Sequence, residues 1–136
     1  MTAPLSYTKN ALVLPYAVGT SVTAGEAIVL TTDTTIDDAA GVSDFAVGIA
    51  QSSSIVPGEI VDVVMFGYAV SPCLVGTGGA TRGTKALLVA DGFTDAAAHD
   101  SSGAVNSSVY GVFLQSGVAT NRVGLLLTGC DSRGTA

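Results

Sequence analysis

The sequence predicts an all-β fold, and three observations carry that prediction: short β-branched apolar runs, glycine-bearing turn signals between them, and an internal repeat. The clearest runs are residues 11–14, 27–31, 45–50, 60–66, 86–90, 109–114 and 123–128. Several of them alternate, as around Asp62, which sits between Val61 and Val63. Turn signals separate them at Ala24-Gly25, Ala40-Gly41, Pro57-Gly58, Asp91-Gly92 and Ser102-Gly103. Strands this short, spaced this way, build a sandwich or a barrel. The one helix candidate is residues 94–99, where Thr94 would cap a single turn over Ala96, Ala97 and Ala98.

The repeat is the most informative feature. Thr23-Ala24-Gly25-Glu26-Ala27-Ile28 aligns with Thr81-Arg82-Gly83-Thr84-Lys85-Ala86. Val47-Gly48-Ile49-Ala50-Gln51-Ser52 aligns with Tyr110-Gly111-Val112-Phe113-Leu114-Gln115-Ser116, with one residue inserted. Glu59-Ile60-Val61-Asp62 aligns with Asn121-Arg122-Val123-Gly124. The offsets are 58, 63 and 62 residues, too steady across three strand signals for chance. Each unit opens with a turn whose glycine suits positive φ, and its second strand carries a glycine early, at Gly48 or Gly111, where a bulge or close backbone approach is expected. The predicted organisation is an extended N-terminal arm over residues 1–10 and a single β domain over 11–136, with the repeat at about 21–70 and 79–130. Residues 71–80, with Pro72 and a cluster of glycines, read as the connector inside that fold.

Composition narrows the function. Only 12% of residues are charged and the net charge is −6, against a usual charged share of about 25%. So neutral a surface is expected to be covered in part by another subunit or a partner. The five basic residues, Lys9, Arg82, Lys85, Arg122 and Arg133, are scattered along the chain. No clustered counterion-displacing face results, so neither nucleic acid nor an anionic membrane is an expected partner. No apolar run reaches the length of a membrane span, and residues 1–10 do not form a signal peptide. The two cysteines, Cys73 and Cys130, read as reduced, partly buried thiols, with a disulfide between them as the alternative.

An enzyme is not expected. His99 is the only histidine, in a polar stretch with Asp100, Ser101 and Ser102, and it reads as an exposed loop residue rather than part of a triad. Zinc would need more Cys and His ligands than the chain places together. Asp33, Asp37, Asp38 and Asp44 cluster in sequence but lack calcium-loop spacing, so they read as solvated loop acids. The stretch from Gly78 to Lys85 has the look of a phosphate loop but ends Gly-Thr-Lys and runs into a strand, and the repeat already accounts for Gly83 as the partner of Gly25. No cofactor is expected. Phe66, Tyr68, Tyr110 and Phe113 fall in strand-like runs and read as core or subunit interface.

The duplicated pattern resembles the small capsid decoration (cement) proteins of tailed bacteriophages. Their sequences pair a Gly-containing turn and strand with a later Val-Gly-Ile-Ala strand and a Gly-Asp-x-Val-x-Val strand. The matching residues are Ala24-Gly25-Glu26-Ala27-Ile28, Val47-Gly48-Ile49-Ala50 and Gly58-Glu59-Ile60-Val61-Asp62-Val63, with a more drifted copy in the second half, over residues 10 to 130. Glu26 keeps the acidic residue after the turn glycine, and Thr84 departs from it. The resemblance implies a compact β-barrel or β-tulip domain, a homotrimer, and a place on the virion exterior against the major capsid protein, after synthesis in the bacterial cytoplasm. It also implies a terminal arm that engages the shell or a neighbouring subunit. That arm makes Thr2, Ala3, Pro4, Leu5, Ser6 and Tyr7 the candidate interface residues. The other reading of the residues is a ligand- or receptor-binding β module of a phage fibre or cell-surface protein.

Overall fold

The structure is a computed structural model that describes residues 3–8, 11–40, 45–67, 69–95 and 107–133. Ten strands account for the fold, and no helix occurs among the described residues. They are β1 (Val13–Val18), β2 (Ala27–Leu30), β3 (Thr35–Asp38), β4 (Gly48–Ala50), β5 (Ile60–Met65), β6 (Ala69–Leu74), β7 (Lys85–Val89), β8 (Gly92–Asp95), β9 (Ser107–Phe113) and β10 (Arg122–Arg133). The all-β expectation holds.

The first five strands close into a barrel in the order β1-β3-β2-β4-β5, with β5 returning to β1. The last five form a sheet in the order β6-β10-β9-β7-β8. Matching β6 to β1, β7 to β2, and so on through β10 to β5, the two orders are the same. The registers match as well. Pro15 stands opposite Asp62 as Pro72 stands opposite Gly124, and Ala50 opposite Val63 as Phe113 opposite Leu125. The parallel pairing leaves a trace as well: Val18 pairs with Ile36 in the ladder that closes the barrel, and Val75 pairs with Phe93 as an isolated bridge that leaves the second sheet open. The two sets of five strands thus share one order and register, starting at β1 and β6.

Its hydrogen bonds repeat too. Gly25 N–H donates to the Ala50 carbonyl at 2.9 Å, and Gly83 N–H to Phe113 at 2.8 Å. Ala24 N–H donates to Ser53 Oγ, and Arg82 N–H to Ser116 Oγ. Those pairs run at a constant offset of 63 through the β4 and β9 region (50 to 113, 53 to 116), so no residue is inserted there. Gly58 and Thr120 occupy the same turn at φ 88° and 74°; the second copy performs with threonine what the first performs with glycine.

Two sequence expectations change. Residues 71–74 are not connector but the body of β6. Pro72 fits because β6 residues 70, 72 and 74 turn their backbone groups away from β10: Val70 exchanges both bonds with Tyr7, and Leu74 N–H donates to the Gly25 carbonyl at 2.8 Å. Between them a residue without an N–H costs no ladder bond. Thr94 and Asp95 finish strand β8 instead of opening a helix; the rest of that candidate, His99 included, lies outside the described residues.

Burial follows the alternation of the strands. Val18, Val22, Ile28, Ile36, Ala50, Val61 and Val63 fill the first barrel. The second interior is larger: Val75, Phe93, Phe113, Val123, Leu125 and Leu127 are continuous with Ala27, Ala39, Ala46, Ile49 and Val64 from the outside of the first barrel. Phe66 and Tyr110 stack with ring centroids 4.5 Å apart, and Tyr110 Oη accepts the Ala46 N–H at 3.1 Å. Tyr110 and Phe113 are thus core, as expected; Tyr68 lies outside the described residues.

Candidate functional site

Three constructions bring polar side chains together. The first holds the arm. Gln115 Oε1 accepts the backbone N–H of Leu5 at 2.9 Å and of Gly124 at 2.8 Å, while Nε2 donates to the Ala3 carbonyl at 3.0 Å. One amide side chain thereby ties residues 3–5 to β10. Gly124 is bare where Leu5 lies, and a Cβ there would stand 2.7 Å from the Leu5 Cβ. Further along, Tyr7 adds a bridge to the β6 edge. Of the sequence-predicted interface residues, Ala3, Pro4, Leu5, Ser6 and Tyr7 lie along the chain's own second barrel with exposed side chains, and Thr2 is outside the described residues.

The second is a groove of about 390 Å³ lined by Arg82, Leu114, Gln115, Ser116, Asn121, Arg122 and Val123. Arg122 donates from Nε and Nη2 to the Ala24 carbonyl at 3.3 and 3.2 Å, fixing the 23–26 turn of the first barrel to the second. Arg82 is exposed. Two of the five basic residues, 40 positions apart in the chain, therefore share one groove. Their separation in sequence hid this. The repeat contained the signal, since positions 82 and 122 match Ala24 and Ile60, where the first half has no charge.

The sequence matches no family model and no curated protein.

The third construction is a set of carboxylates that organise turns. Asp38 accepts from Thr23 N–H and Oγ1, both at 2.8 Å. In the second half Asp95 accepts the same pair from Thr81, at 2.7 and 2.6 Å, and also the Thr84 hydroxyl. Burial pushes Asp95 up, but the Thr81 and Thr84 donors outweigh it and hold it below the usual carboxylate range. Where the second half has the hydroxyl of Thr84, the first has Glu26. Glu26 meets Asp38, and because a carboxylate cannot donate, a bond between the two needs a proton on one of them. Partial burial, that bond, and the charges of Asp38 and Asp91 together push Glu26 up to about 7. Asp37 Oδ1 accepts the N–H groups of Thr20 and Ser21 at 2.6 and 3.0 Å. In the second half Asp91 accepts both the N–H and the hydroxyl of Thr77, and those donors keep it below the usual range.

Asp37 and Asp38 are therefore half-buried turn caps, not solvated loop acids as their spacing implied; Asp33 is exposed as expected, and Asp44 lies outside the described residues. No group of three or more His, Cys, Asp or Glu placed to hold a metal occurs among the described residues. Cys73 is a buried free thiol whose pKa burial pushes up to about 12, which makes it unreactive as a nucleophile at neutral pH. The side chain of Cys130 is outside the described set. The 78–85 stretch is a turn leading into strand β7, without the helix a phosphate loop needs.

Proposed function

We propose that this chain is a structural virion protein that binds the outer surface of a tailed-phage capsid, against the major capsid protein, as a decoration or cement protein. The observation that carries the reading is the duplication. The Gly-turn, the Val-Gly-Ile-Ala strand and the Glu-x-Val-x-Val strand, on which the resemblance rests, have counterparts on matching strands with matching hydrogen bonds in the second half. The arm supports it as well: it is extended, tied down by Gln115, and still presents Leu5 and Tyr7 at 48% and 53% exposure. An apolar strip held in place on a rigid barrel loses little entropy on binding. Cementing then works by many weak contacts acting at once, with the homotrimer implied by the resemblance raising the effective concentration of each arm.

The test is where the protein resides and how it is held there. Purified virions of the phage that encodes the chain should contain it in many copies, open to antibody and protease from outside. Removing residues 2–8 should leave the barrels folded and lower the amount bound. Absence from virions, or burial inside the shell, would sink the reading; undiminished binding without the arm would remove the arm from it.

A further inference from the structure

One outer surface of this molecule is built twice, and its two versions carry opposite character. In the first barrel it comprises the loop before β5 and the start of β5: Ile55, Val56, Glu59, Ile60 and Asp62 are all exposed, Ile55 at 81% and Ile60 at 62%. In the second barrel the matching positions, 62 residues on, hold Asn121 for Glu59, Arg122 for Ile60 and Gly124 for Asp62. There the surface is concave, with Arg82 added from the turn before β7. The difference extends to the halves as wholes. Residues 1–68 hold one basic residue against seven acidic ones, a net −6, and residues 69–136 hold four of each, a net of zero.

We propose that copies of this chain bind one another head to tail, with the Ile55, Glu59, Ile60 and Asp62 strip of one copy seated in the Arg82–Arg122 groove of the next. Two strips meeting each other would set like charges face to face, and so would two grooves; strip against groove is the attractive pairing. The apolar parts agree with the charges, since Leu114 and Val123 line the groove and Ile55, Val56 and Ile60 stand out from the strip. Arg82 is the main anchor, because Arg122 already spends donors on Ala24, and a guanidinium on a carboxylate is the geometry with the strongest directional preference. Strip and groove are different patches of one chain, so each contact leaves one of each unfilled. Such a contact closes into a ring when its rotation allows and otherwise extends as a chain. The inference rests on the duplication and the charge split, independently of the capsid reading.

Charge reversal tests it on the full chain. Light scattering of the wild type should give masses above the 13.4 kDa monomer, falling as salt rises from about 50 to about 500 mM and the screening length shortens to a few ångströms. Arg82→Glu alone, and Glu59→Arg with Asp62→Arg, should each be monomeric at concentrations where the wild type assembles, with unchanged circular dichroism. Mixing the two variants should restore assembly, because the reversed strip then meets the reversed groove while the native strip meets the native groove. A monomeric wild type at every concentration overturns the proposal. So does either variant that assembles like the wild type, or a mixture that stays monomeric. If a reversed variant does not fold, Arg82→Gln and Glu59→Gln with Asp62→Asn replace it, and each should weaken assembly by about tenfold. Assembly without shell binding would overturn the capsid reading and leave this one standing.

Discussion

Val18 with Ile36, and Val75 with Phe93, stand in the same parallel pairing at the same place in a closed barrel and in a sheet of the same strand order, yet their surroundings differ. The first barrel is sealed around small β-branched side chains. The second opens at that seam. Leu74 N–H, which in the first barrel has its counterpart in Ala17 bonding Thr34, instead takes the carbonyl of Gly25 from the first barrel's turn. The interior widens to suit: Phe93 stands where Ile36 does, Phe113 where Ala50 does, and Leu125 where Val63 does. One unit thus serves as a self-contained wedge and the other as its socket, with the arm covering the remaining edge. Duplicated sequence gives duplicated topology, while side-chain volume decides which copy closes on its own.

The largest effect should come from the socket. Phe93→Ala should cost about 3–5 kcal/mol in urea unfolding, while Ile36→Val at the matching position should cost about 0.5–1.5 kcal/mol. Equal costs would break the comparison. Next come the matched turn glycines, both at positive φ: Gly25 at 89° and Gly83 at 88°. A Cβ on Gly25 would stand 2.9 Å from Leu74 N, whereas one on Gly83 meets nothing within 4 Å. Alanine is strained at both by about 1–2 kcal/mol, so Gly25→Ala should be the more destabilising by the added cost of displacing the seam.

Much of this was legible in the sequence, and the misses have physical causes. The paired turn glycines and the Val-Gly-Ile-Ala pattern marked β2, β4, β5 and their partners, because glycine and β-branched residues sit there for backbone reasons that leave a compositional trace. Strands β3, β6 and β8 were not visible. Thr35–Asp38 ends in carboxylates that cap turns across the barrel, so it reads as loop acids, and Gly92–Asp95 is divided between a turn signal and the helix candidate over 94–99. Ala69–Leu74 contains a proline, which fits only because position 72 falls between the bonds to Tyr7 and Gly25. The sequence did not show that residues 3–7 lie against their own chain: Gln115 is one amide among many until β9 and β10 bring it beside Leu5 and Gly124.

A subtler difference between the barrels is electrostatic. Unfolded Glu26 titrates near 4.5 and folded Glu26 at about 7, so the folded state holds an extra proton between those values. Stability from this residue is full below about pH 4.5, declines as pH rises to about 7, and is flat beyond. Glu26→Thr, which copies Thr84, should flatten that part of the profile when melting temperature is followed against pH; an unchanged slope would place the titration elsewhere. The smallest effect is expected at the matched β-turn. Thr120→Gly, which copies Gly58, should relieve positive-φ strain and stabilise by about 0.5 kcal/mol after the entropic cost of glycine.

The most direct test of the proposed capsid role is co-sedimentation of the purified chain with mature shells of the tailed phage that carries its gene. Saturable binding at a fixed ratio of copies per capsid subunit, reduced when residues 2–8 are removed, is the predicted result. Protein that stays in the supernatant at every concentration, with shells intact in the pellet, would contradict it.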